Sequence, residues 1–308
     1  MNNKQWVNLF FIGLFLLVII SLISSFFLHD KFQESSLRNK EYLIKENKPK
    51  IIFAGDSRAE RQLSVSTALD VLSYSKGDII NIAISSGDPI ALNYLVDKYP
   101  VKFKNAVIVL SVSANQLNDN SKSRGYFTNS MISKLSYKEK IITFIPNNIS
   151  TLLGYYYSIV RPHLTTKSQF RESYGFNPID GTLHKKSAHK RSVEKNPWYE
   201  DYVDGGLKHK LIGNSLSELS NKVKELYVYT APFAPSSLAA MKEGRTLSFE
   251  RSFKSKITSL CNKYNLTCIN YLKVDELDDL HFYDGAHTNK DGAIIFTKKI
   301  IKDFRLIE

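Results

Sequence analysis

Apolar positions along this chain change their spacing from one region to the next, and the changes outline its organisation. From Trp6 to Leu28 nearly every residue is apolar. At ~1.5 Å rise per residue such a run crosses the roughly 30 Å hydrocarbon layer as one helix. A cleaved signal peptide is the alternative, with a shorter apolar region and a small-residue cleavage site. Residues 29–49 are rich in charge and read as a partly helical stalk. Beyond it, short apolar runs alternate with amphipathic stretches of helix length. Lys50 to Ala54, Asp78 to Ile84, Ala106 to Val112, Leu226 to Thr230 and Thr267 to Tyr271 read as strands. Their continuous apolar character, with helices between, predicts a doubly wound α/β fold: a five-stranded parallel sheet covered on both faces. The amphipathic stretch Ser64 to Ser73, or one starting somewhat earlier, reads as the first of its helices.

The rhythm breaks between Ser121 and Ser215, where basic residues outnumber acidic ones and Tyr155-Tyr156-Tyr157, Trp198 and scattered prolines occur. This stretch is expected to be an insertion within a domain spanning 50–308, after an anchor at 1–28 and the stalk. Its aromatics suit either a small core of their own or stacking on sugar rings.

Composition narrows the function. With 308 residues, 43% of them hydrophobic, the chain has enough apolar material for a full core. The net charge of +12 raises the question of nucleic acid. No helix-turn-helix, zinc-finger or ribonucleoprotein pattern accompanies it, so no nucleic-acid partner is expected. Cys261 and Cys268 are the only cysteines. They cannot build a four-ligand structural zinc site, and spacing leaves open whether they are bonded. Neither a metal nor a cofactor is expected. Basic residues follow the anchor more densely than they precede it, which by itself favours a cytoplasmic domain.

The chemistry-bearing positions sit where strands end. Ile51-Ile52-Phe53-Ala54 runs into Gly55-Asp56-Ser57 and delivers a serine to a turn, either as a nucleophile or as a helix cap. Near the other end, Asp284-Gly285-Ala286-His287 offers a carboxylate and an imidazole. Ser57, His287 and Asp284 form a candidate catalytic triad, in which the base takes the hydroxyl proton and the acid holds the base in one tautomer. After the second strand comes Asn81-Ile82-Ala83-Ile84-Ser85-Ser86-Gly87, and the third strand ends at Ser111-Val112-Ser113-Ala114-Asn115. The Gly87 N–H and the Asn115 amide are candidate oxyanion donors.

These segments, in this order, resemble the SGNH (GDSL-like) hydrolase superfamily over most of residues 50–304 outside the insertion. The resemblance implies a flavodoxin-like sheet, Ser57 as nucleophile, Gly87 and Asn115 as oxyanion residues, and Asp284 with His287 as the final block. The sequence departs from the family pattern at Arg58, which replaces a leucine, and in a second block one residue longer than usual. It also carries Ser113-Ala114-Asn115-Gln116 where Gly-x-Asn-Asp is usual. Ser86 is an alternative to Gly87, and Asn118 or Asp119 to Asn115 in a shifted register. An anchor before such a domain, with arginine after the serine, is similar to membrane-tethered members acting on envelope polysaccharides, often beside membrane-bound O-acyltransferases. The resemblance therefore implies an extracytoplasmic domain. Its expected activity is that of a serine esterase or O-acyltransferase, with an envelope glycan or acyl ester as substrate. A non-catalytic glycan-binding or scaffolding partner of a membrane-bound O-acyltransferase, and a lipid esterase, are the alternatives.

Overall fold

The computed structural model describes residues 39–85, 87–119, 173–183, 203, 205–243 and 247–306, together with 5, 6, 8, 12, 13 and 16. The chain divides into a unit of Met1–Arg38 with Thr128–Thr166 and a unit of Asn39–Phe127 with Lys167–Glu308. The described positions of the first unit are helical. Among the described residues no helix is long and apolar enough to cross a membrane. The run from Trp6 to Leu28, expected to do so, lies almost wholly outside them. So does most of the expected insertion, with Tyr155-Tyr156-Tyr157 and Trp198.

The second unit is built on strands β1 (Ile51–Ala54), β2 (Ile79–Asn81), β3 (Val107–Ser111), β4 (Glu225–Thr230) and β5 (Thr267–Asn270). All neighbours pair in parallel, in the order β2-β1-β3-β4-β5. This is the flavodoxin-like order, whose ligand crevice lies beyond the carboxyl ends of β1 and β3 where the winding reverses. The sequence placed the second strand through Ile84. The ladder of β2 ends at Asn81, but the chain keeps donating to β1 from Ile82 to Phe53 and from Ile84 to Gly55, which accounts for the longer apolar run.

Side chains of the sheet alternate between two helical layers. Ile51, Phe53, Ile79, Val109 and Tyr229 are buried in a cluster with Leu63, Val65, Ala68, Phe296 and Ile300. Those partners come from the segment carrying helices α1 (Ser57–Gln62) and α2 (Val65–Leu72) and from the last helix, Lys290–Asp303. The expected helix from Ser64 to Ser73 is α2 with its two caps: the Ser64 hydroxyl accepts from the Thr67 N–H, and Ser73 takes a left-handed conformation at φ 55°. The opposite layer contains α3 (Pro89–Lys98), followed by the short α4 (Pro100–Phe103) and α5 (Ala114–Leu117), and then α6 (Leu207–Ser220). Helix α6 starts within the stretch assigned to the insertion. Helices α7 (Pro235–Glu243), α8 (Leu247–Lys263) and α9 (Lys290–Asp303) complete the order.

Cys261 at the end of α8 is bonded to Cys268 in β5, which closes the loop that turns the helix into the edge strand. The end of the expected stalk is part of the fold. Residues 39–46 are helical, and Lys40, Leu43 and Ile44 are buried. Ile44→Ala should therefore cost about 2–5 kcal/mol, the range for large-to-small changes in a core. The exposed Tyr42→Ala should be nearly neutral by thermal denaturation, and equal effects would mean that residues 39–46 are only a spacer. Reductant should lower the unfolding midpoint, a loop-closing disulfide being worth about 2–4 kcal/mol.

Candidate functional site

The turn after β1 is made possible by Gly55. Its φ is +131°, and a Cβ there would come within 2.7 Å of the Ser111 side chain at the end of β3. Glycine therefore lets the first and third strand ends approach closely. Asp56 then caps α1: its carboxylate accepts from the Arg58 N–H at 3.0 Å, from the Arg58 guanidinium at 3.4 Å and from the Ser113 hydroxyl. The capping role open to Ser57 is thus taken by its neighbour. Ser57, the first residue of α1, directs its hydroxyl elsewhere.

It meets His287. Ser57 Oγ lies 2.9 Å from His287 Nε2, and His287 Nδ1 lies 3.0 and 2.9 Å from the two Asp284 oxygens. The triad residues expected from the sequence are thus brought into one hydrogen-bonded row. Asp284 Oδ1 also accepts from the N–H groups of Ala286 and His287, both at 2.9 Å. One carboxylate therefore shapes the loop and orients the imidazole. Burial would raise the Asp284 carboxyl, but the hydrogen bond and charge of His287, with those two N–H groups, hold it down at about 2. Asp284 stays ionised at every pH at which the domain would work.

The loop carrying the pair is held from several sides. Gln62 Nε2, on the helix that begins at Ser57, donates to Ala286 O at 2.9 Å, and the Ala234 N–H donates to Gly285 O at 3.0 Å. Asn289 caps α9 through the Gly292 N–H and donates to Leu280 O and Gly181 O. Gln62 and Asp56 were not singled out from the sequence. A polar residue on an otherwise buried helical face, five positions after the serine, was the available signal for Gln62.

The second and third blocks reach the same turn. A Cβ on Gly87 would fall 2.5 Å from Gly55 O, so glycine is required for this close packing. Its N–H, expected to face a substrate oxygen, is donated to Ile84 O at 2.6 Å. Gln116, the departure from the usual aspartate, binds the Gly87 carbonyl through Nε2 at 2.7 Å and accepts from the Ser113 N–H at 3.1 Å. It clamps the two blocks together, and Ser113-x-x-Gln116 is a capping-box spacing legible in the sequence. Asn115 is half-buried, and its side chain bonds to no other described residue. The alternatives to it are engaged. Asn118 accepts from the Val203 N–H, and Asp119 accepts from the N–H groups of Gly206 and Lys208 at the start of α6. Ser86 lies outside the described residues. Arg58 is buried, paired with Asp56 and placed over the Phe233 ring at 5.3 Å.

No protein-family model matches this chain, and no curated protein sequence matches it. Solved structures do resemble it. A GDSL-like lipase from Bacteroides thetaiotaomicron VPI-5482 is 12% identical, with 88% of this chain and 98% of that one covered and a TM-score of 0.40. The lipase/acylhydrolase from Enterococcus faecalis is 12% identical over 84% and 95%, with a TM-score of 0.39. A catalytic mutant of an acetylxylan esterase from Geobacillus stearothermophilus is 9% identical over 85% and 95%, with a TM-score of 0.40. These three are lipases and esterases.

Asp284→Asn should keep the fold but present the wrong tautomer of His287, lowering kcat by about 10⁴-fold. Asn115→Ala should lower kcat by about 10²- to 10³-fold if its amide meets the oxyanion. Both are measured as turnover of an activated acetate ester, and unchanged turnover in either variant removes that residue from the site.

Proposed function

We propose that this chain is a serine esterase or O-acyltransferase that moves an acetyl group off or onto a cell-envelope glycan. The observation that carries the reading is the 2.9 Å approach of Ser57 Oγ to a His287 ring whose other nitrogen is held by Asp284. A serine hydroxyl becomes an effective nucleophile in this arrangement. His287 takes the Ser57 proton as Oγ bonds to the acyl carbon, and returns it to the departing alkoxide as the ester C–O bond breaks. Water or a sugar hydroxyl then attacks the acyl-serine, giving its proton to His287, and Ser57 leaves reprotonated. The Ser57 N–H at the first position of α1 has no acceptor within the helix and, with the Asn115 amide, is suited to the oxyanion.

The location belongs to the same proposal: a single N-terminal membrane helix, with the domain on the extracytoplasmic side. The Cys261–Cys268 bond supports that side, because disulfides persist in oxidising compartments. An adjacent membrane-bound O-acyltransferase is the proposed partner, supplying acyl groups that a glycan hydroxyl accepts.

One observation favours a second reading. The Gly87 N–H is spent on Ile84 O, which leaves the expected oxyanion hole one donor short. On this reading the domain binds glycan beside an acyltransferase without turning it over.

The detergent-solubilised full chain should hydrolyse 4-nitrophenyl acetate, while Ser57→Ala should not. Addition of an oligosaccharide acceptor should divert acetyl groups to sugar if transfer is the activity. Equal rates for wild type and Ser57→Ala, alongside measurable oligosaccharide binding, would establish the scaffold instead. A marked preference for long acyl chains would point to lipid esters.

A further inference from the structure

The most unusual side chain in the described fold is Lys40, which lies ahead of the first strand and is 1% exposed. Its Nζ donates to Asn81 O at 3.2 Å and to Gly175 O at 3.0 Å, and lies 3.5 Å from Glu60 Oε1. Those contacts come from different places: the end of edge strand β2, the segment 173–176, and helix α1, which begins at the nucleophile. Glu60 continues the connection, since its Oε2 accepts from the Ser85 hydroxyl at 3.2 Å, two residues before Gly87. Its carbonyl accepts from the Asn177 N–H at 3.1 Å, and the Tyr174 carbonyl accepts from the Asn81 N–H at 2.9 Å. A buried ammonium is costly unless paired and hydrogen-bonded, and this one has both kinds of partner.

We propose that Lys40 is a positioning residue for the esterase site: its ammonium clasps Glu60 on the nucleophile helix and, through Glu60 and Ser85, sets the loop that carries Gly87. The inference rests on the esterase reading and adds to it a part for a residue outside the strand-and-block region. Charge is the reason for lysine here. An uncharged side chain could fill the volume between β2 and segment 173–176, but it could not hold the Glu60 carboxylate, which Ser85 shares. Through these contacts, the chain entering the domain and a segment within the expected insertion both bear on the helix that presents Ser57.

The charge of Lys40 is also removable. Burial lowers its pKa and the Glu60 charge and hydrogen bond only partly restore it, to about 8. Among the described residues, Glu60 on α1 is a titratable group that faces it, and the end of β2 and segment 173–176 face it with the carbonyls of Asn81 and Gly175. Below about pH 8 the ammonium is present and the clasp is closed. As the pH rises through that value the charge is lost and the clasp on Glu60 opens.

The test is the pH profile of kcat for 4-nitrophenyl acetate with the full chain, comparing wild type, Lys40→Met and Ser85→Ala. Below pH 7.5, Lys40→Met should lose about 10- to 100-fold in kcat, the scale of a small misplacement of reacting groups, with KM little changed. The two profiles should converge as wild type falls on its alkaline side. A constant ratio at all pH values, or equal kcat, would overturn the proposal and leave Lys40 a structural residue. Should Lys40→Met fail to fold, Ser85→Ala decides: Ser85 is exposed, so this variant should keep its melting temperature while kcat falls several-fold, and wild-type kcat there would overturn the clasp. Wild type no faster than Ser57→Ala would instead overturn the esterase reading, and this inference with it.

Discussion

The site depends on a division of labour between adjacent residues at the end of β1. A helix that begins directly after a strand has N–H groups to satisfy, and serine often caps them. Here Asp56 takes that duty, and its carboxylate also receives the Ser113 hydroxyl and the Arg58 guanidinium. The Ser57 hydroxyl is left to face His287. Because Gly55 brings the end of β3 within touching distance, the same carboxylate joins the first and third strand ends. A single buried acid thus shapes the turn, leaves the Ser57 hydroxyl to His287 and registers the block that carries Asn115.

Around that centre, each element contributes through a contact with α1. Gln62 reaches the loop of Asp284 and His287, Asn81 Nδ2 donates to the carbonyls of Ala59 and Leu63, and Glu60 is paired with Lys40. The helix is short, and isolated helices of its length are not stable in water. It is held by the outward bonds of Ser57, Glu60 and Gln62 and by the bonds of Asn81 to its carbonyls. Its position, and therefore that of Ser57, is set by those bonds more than by its own hydrogen-bond ladder.

Strand positions were legible because parallel strands covered on both faces are continuously apolar: β1, β3, β4 and β5 fall within a residue or two of their expected bounds. Ser57 was legible because it ends an apolar run, and Asp284 and His287 because a carboxylate and an imidazole stand three residues apart before a helix. Their expected meeting in space came from the resemblance to a known family. The Gly87 contact was not legible in the same way. Glycine was read as room for a substrate oxygen, whereas its missing Cβ makes room for Gly55 O. Lys40 was hidden because a lysine in a charge-rich stretch reads as solvated, and its partners, the backbone carbonyls of Asn81 and Gly175, leave no mark in a sequence. Likewise the disulfide could not be decided from spacing, since it depends on how α8 meets β5.

The central claim is that Ser57 is the activated hydroxyl of this chain. Trypsin cuts after Lys50 and after Arg58, so Ser57 lies alone among serines in the peptide 51–58. Mass spectrometry of the intact protein and of that peptide, after treatment with a fluorophosphonate, therefore tests the claim directly. The account predicts one adduct per chain, on peptide 51–58, in wild type and none in His287→Ala. An unmodified peptide 51–58 in wild type, or equal labelling in His287→Ala, would contradict it.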